Sequence, residues 1–159
     1  MQLEYFNLID SIEEMDVDGL TIRVVGTLPE TSPVFDGHFP RFPVLPGVMM
    51  LEFMNHAAGY LLLRRQNMEK FVFLGGVKRA KFRRFVMPGD RMTVTAKIAH
   101  EGSGYSIAET AVWVREEVAA DAEVVMISTE WPAEELREEF HRRIPLIPMS
   151  GAASEQLAG

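Results

Sequence analysis

The chain has no cysteine, which excludes disulfides and thiolate-based zinc sites. It has no apolar run approaching the ~18 residues a membrane span needs. Its opening stretch, MQLEYFNLIDSIEEMD, has no basic segment leading into an apolar one, so no signal peptide is expected. Positive charge is in short supply: 16 Lys and Arg against 23 Asp and Glu give a net charge of -7 and a pI near 5.1. That balance opposes bulk attraction to nucleic acid or to an anionic membrane, while leaving room for a local basic patch. These absences predict a soluble, cytoplasmic protein without a membrane span or a nucleic-acid partner.

What remains suits one core. A chain of 159 residues is of single-domain length, and its 47% hydrophobic content is ordinary for a globular protein. Residues 5–14 and 20–28 read as two strands around the turn DVDG. The Pro- and Gly-rich segment 29–46 reads as an ordered loop. Pro46 then stands where a first-turn proline is tolerated, and 48–66 is free of proline and rich in helix formers. This helix is apolar nearly all round, so it is expected to be wrapped rather than laid on a surface. Strands are predicted at 71–77, 79–86, 91–101, 104–117 and 121–131, with a tight turn at Gly102-Ser103. The pattern is α+β, an antiparallel sheet curled around a long helix. Residues 1–131 form the predicted domain. Residues 132–159 form an extension, with a short helix at 133–143 and a mobile end.

One constellation carries chemistry. In GHFPRFPVLPGVMMLE, His38 lies in the proline-stiffened loop and Glu52 follows fourteen residues later inside the apolar helix. Burial of Glu52 would raise its pKa and keep it protonated as a general acid. The imidazole of His38 suits a general base. Between them, Gly47 opens the helix, where N–H groups without intrahelical partners can meet a ligand oxygen. Base, acid and oxyanion donor beside an apolar channel suit the dehydration of a 3-hydroxyacyl compound, or its reverse. Other readings stand beside this one. His38 can be structural, Glu52 can pair with a base elsewhere, and Pro40, Pro43 and Pro46 can form a polyproline ligand.

At these residues the sequence resembles the beta-hydroxyacyl-acyl-carrier-protein dehydratases of type II fatty acid synthesis. A second block, VKRAKFRRFVMPGDRM, resembles that family in the same order. The resemblance implies a hot-dog fold with 47–65 as its central helix. It implies a homodimer, often assembled as a trimer of dimers, in which His38 and Glu52 meet across the interface. His38 is then the base, Glu52 the acid, and Gly47 the N–H donor to the thioester carbonyl. No metal or redox cofactor is implied, the acyl group being carried on the phosphopantetheine of an acyl carrier protein. Glutamate rather than aspartate at the acid position points to the non-isomerising type.

The chain departs from the family in two places. Asn55-His56 replaces an Ala-Gln pair, which makes His56 a candidate for positioning the acid, and Lys78 replaces an acidic residue. Lys78, Arg79, Lys81, Arg83 and Arg84 crowd five cations into seven residues. They read either as a docking patch for the acidic carrier protein or as a solvated strand with ion pairs. The alternatives in function are a non-catalytic acyl-binding hot-dog subunit, a thioesterase on the same fold, or a dehydratase specialised for very-long-chain lipid A acyl groups. The last rests on a weaker likeness in LEYFNLID and HEGSG.

Overall fold

The computed structural model describes residues 1–3 and 7–143. Among them, six antiparallel strands form one sheet in the order β1-β2-β4-β5-β6-β3. They are β1 Ser11–Asp16, β2 Thr21–Thr27, β3 Phe71–Phe82, β4 Arg91–Glu101, β5 Tyr105–Val114 and β6 Glu117–Thr129. The helices are α1 Pro33–Gly37, α2 Gly47–Arg65 and α3 Glu134–Arg143. This is the α+β hot-dog arrangement, a curled sheet around α2.

Alternation decides which face of the sheet meets α2. Met92, Val94, Ala96 and Ile98 on β4 are buried, as are Ala108 and Val112 on β5 and Ala120, Ala122, Val124 and Met126 on β6. Many of these are alanines, opposite Ala57 and Ala58 of the helix, so backbone and helix approach closely. Phe53, Met54, Leu61 and Leu62 fill the remaining space and are fully buried. Thr110 is a polar residue on this inner face, and its hydroxyl donates to the carbonyl of Ala122 at 2.9 Å, which satisfies it. Arg64 and Arg65 close α2 in its last turn, where positive charge meets the negative end of the helix dipole.

The predicted elements need four adjustments. First, 71–77 and 79–86 are replaced by a single strand, β3, that ends at Phe82, with register shifts at Leu74/Gly76 and Val77/Arg79 that read locally as breaks. Second, the β5–β6 turn falls at Arg115-Glu116 rather than at 118–120, with φ of 50° and 65° at the two residues. A positive-φ turn without Gly or Asn carries no composition signal. Third, the 29–46 loop contains α1. Ser32 caps it by accepting from the Val34 N–H at 3.2 Å, Pro33 opens its first turn, and Phe35 anchors it in the core. Fourth, β1 begins at Ser11 rather than residue 5. The expected mobile end, 144–159, lies outside the described residues.

α3 falls where the short C-terminal helix is predicted. It returns to the start of β3, where Phe140 meets the rings of Phe71 and Trp131 at 6.1 and 5.4 Å. The Trp131 indole N–H donates to the Met68 carbonyl at 3.1 Å.

Because Phe53 is fully buried between helix and sheet, Phe53→Ala is expected to lower stability by about 3–5 kcal/mol. Urea denaturation should show this as a lower midpoint at unchanged slope.

Candidate active site

The loop before α2 is held at both ends. The His38 N–H donates to the Phe35 carbonyl at 3.2 Å, and the Val44 N–H donates back to the His38 carbonyl at 3.1 Å. The Leu45 N–H donates to the Val86 carbonyl at 2.8 Å, and Val44, Leu45 and Val86 are all buried. The second sequence block thus supports the first. Its turn is fixed by Asp90, which accepts from the Met87 N–H at 2.9 Å and from Arg115 at 3.1 Å, with Gly89 at φ 79°.

The His38 ring is half-buried, lies tilted by 33° against the Phe39 ring at 4.4 Å, and places Nδ1 3.3 Å from the Val44 carbonyl. A carbonyl only accepts, so this contact needs the hydrogen on Nδ1, which in the neutral ring leaves the lone pair on Nε2. That is the tautomer a general base needs.

At the start of α2, the Pro46 carbonyl accepts from the N–H groups of Met49 and Met50. No side chain caps the helix. Among the described residues, the Gly47 and Val48 N–H groups have no backbone acceptor. A Cβ on Gly47 would stand 3.3 Å from the Phe82 ring, so the bare glycine keeps the N–H approachable beneath an aromatic side chain.

Glu52 is not buried as the sequence led us to expect. It falls on the one stripe of α2 that the sheet leaves partly open, with Val48, Asn55, His56 and Tyr60, and its side chain is 30% exposed. The His56 Nε2 lies 3.0 Å from one carboxylate oxygen, and the Asn55 Nδ2 donates to the other at 3.1 Å. Hydrogen bonding by His56 holds the carboxyl below its ordinary 4.5. Burial pushes the other way, and the His56 charge and the Asn55 bond add to the lowering. The expected upward shift is therefore corrected: two donors on the same helix outweigh partial burial. Asn55, which the sequence marks only as half of the Asn55-His56 pair, is thus a second donor to the acid. Its spacing of three from Glu52 was the available signal. Within one chain no hydrogen bond joins His38 to Glu52; each has the partners just described.

The five cations are largely committed. Lys78 pairs with Glu123 at 2.9 Å, Arg79 and Arg83 pair with Asp121 at 3.7 and 2.5 Å, and Arg84 pairs with Glu117. Among the described residues, Lys81 alone of the five has no carboxylate within ion-pair distance. Exposed pairs of this kind contribute about 0–1 kcal/mol each, so they exchange readily for other acids. Two grooves on the outer face of β2, β4 and β5, around Arg23, Thr95 and Trp113, include neither His38 nor Glu52.

Residues 14–116 match the model of the ApeI-like family, described as ApeI dehydratase. The 3-hydroxyacyl-[acyl-carrier-protein] dehydratase FabZ of Streptococcus thermophilus is 36% identical over 114 residues, 71% of this chain and 79% of that protein. FabZ of Streptococcus mutans is 35% identical over 114 residues, 71% of this chain and 80% of that protein. Among solved structures, AziG of S. sahachiroi superposes with a TM-score of 0.63 at 16% identity, covering 81% of this chain and 96% of the other. The dehydratase heterocomplex ApeI:P of Xenorhabdus doucetiae gives 0.56 at 20% identity, covering 69% and 88%. The E. coli PaaI protein gives 0.60 at 17% identity, covering 75% and 78%.

The lowered Glu52 pKa has a consequence for stability. Its contribution is complete above the ordinary carboxyl value of 4.5 and is lost as pH falls through the lower folded-state value. Glu52→Gln should therefore flatten the loss of stability below pH 4.5, measured as urea midpoints across that range. With its matched dehydratase model spanning most of the hot-dog fold and carrying both sequence blocks, this chain belongs to the ApeI-like dehydratase family.

Proposed function

We propose that the protein dehydrates (3R)-hydroxyacyl groups carried on an acyl carrier protein to trans-2-enoyl groups, in fatty acid biosynthesis in the cytoplasm. The observation that carries this reading is the contact of His38 Nδ1 with the Val44 carbonyl at 3.3 Å, which leaves Nε2 to act as the base on the loop that leads into the helix bearing Glu52. His38 removes the proton next to the thioester carbonyl. The Gly47 N–H stabilises the charge that develops on the carbonyl oxygen. Glu52 delivers a proton to the departing hydroxyl, and water leaves.

The site is completed by a second copy. β3 is an edge of the sheet with one side unpaired, and Phe73 and Val77 on it are exposed. The start of α2 lies against β3 where Gly47 meets the Phe82 ring, and a homodimer over this edge and the half-open stripe of α2 brings His38 of one protomer to Glu52 of its partner. A trimer of such dimers is the larger assembly. The carrier protein, acidic and bearing the substrate on phosphopantetheine, docks at Lys81 and at the exchangeable cations Lys78, Arg79, Arg83 and Arg84. No cofactor of the protein's own takes part.

The test is hydration of a crotonyl thioester by the full chain, the reverse of the same reaction. His38→Ala and Glu52→Gln should each lower kcat by roughly 10²–10⁴-fold. Wild-type rates in both variants would sink the assignment.

A further inference from the structure

Resting on the dehydratase reading, the geometry around Glu52 says more about its acid. A general acid must hold a proton at the working pH. Glu52 alone is poorly placed to do so. Both of its oxygens meet donors of its own helix, and its carboxyl sits below the ordinary range. A neighbouring ring can supply a proton: the His56 Nε2 lies 3.0 Å from the carboxylate, one helical turn away.

We propose that His56 is a positioning residue that sets the pH range over which the acid is loaded: Glu52 and His56 hold one transferable proton between them, resting on the imidazole and passed through the carboxyl to the departing hydroxyl. The step balances. His38 takes the α-proton, the C–O electron pair leaves with the hydroxyl oxygen, and that oxygen takes a proton from Glu52. Glu52 receives that proton from His56 Nε2 as it delivers it, and ends ionised as it began. The products are water and the enoyl thioester, with His38 protonated and His56 neutral. His38 then loses one proton to solvent, and His56 gains one from it.

The surroundings leave the pair to itself. On α2, Asn55 binds the second carboxylate oxygen, and the Tyr60 ring meets His56 edge-on at 6.4 Å. Asn55 keeps its carbonyl oxygen buried and without a partner, while its amide points at Glu52. That orientation suits an ionised carboxylate. Among the described residues, no charged side chain of the strands packed against α2 pairs with Glu52 or His56. Arg23 and Arg91 pair with Glu13, Lys78 with Glu123, and Arg79 and Arg83 with Asp121. In the proposed dimer, His38 of the partner subunit is the remaining titratable group facing the pair.

His56→Gln separates the roles, because glutamine retains a donor but cannot carry the proton. The pH profile of kcat/KM for crotonyl-thioester hydration is measured for wild type and variant, with the urea midpoint of each as a folding control. Glu52 must then be loaded as an ordinary carboxyl instead of through an imidazole. Hydration runs the step in reverse, with the pair taking a proton from water, so the pair sets the acid limb, and that limb should move down by about one pH unit or more. A limb that stays in place or moves up, in an active variant or with a uniform loss at all pH values, overturns the proposal and leaves the dehydratase reading intact. A wild type without turnover at any pH overturns both.

Discussion

Everything at the site depends on how α2 is wrapped. The curled sheet covers most of the helix circumference, and full burial of a residue such as Phe53 supplies about 1.5–3 kcal/mol. The uncovered stripe contributes little of that. It can therefore hold Glu52, Asn55 and His56, polar residues a closed core would reject. One helix thus separates its duties by angle: the covered side holds the fold, and the open side carries titratable groups. The loop before it is pinned to the same framework through Leu45 and Val86, so the position of His38 follows from the packing of the sheet.

The electrostatics of the open stripe are a competition in which proximity wins over partial burial. A carboxyl that remains 30% exposed loses only part of its hydration. Two donors at about hydrogen-bond distance more than compensate. The same logic applies at β3, where acids of β6 neutralise most of the basic run. An acidic partner would compete with weak, solvated ion pairs there, not with structural ones.

The fold was legible in the sequence wherever a pattern was local. The apolar run after Pro46, the alternation in 91–101 and the DVDG turn each announced their elements. Elements without local signals escaped: α1, capped by a single serine; the bulged continuity of β3; and a turn built from Arg115 and Glu116 at positive φ. At the site, the residues and their spacing could be read, but the environment of Glu52 could not. Whether a helical glutamate faces the sheet or the gap depends on where the sheet ends, which is set by long-range pairing. An apolar sequence all round the helix hides that edge.

The two tryptophans sit in unlike places, and this gives the molecule a built-in optical division. Trp131 lies between Phe71 and Phe140, with its N–H on the Met68 carbonyl, so its surroundings include the C-terminal helix. Trp113 lies on the outer face of the sheet, its N–H donating to Thr95 at 3.2 Å. Emission from Trp131 therefore reports on the seating of α3, and emission from Trp113 on the strands beneath it. Replacing either tryptophan with phenylalanine leaves a single fluorophore. Loosening of the extension and melting of the sheet then become separately visible in the intact chain.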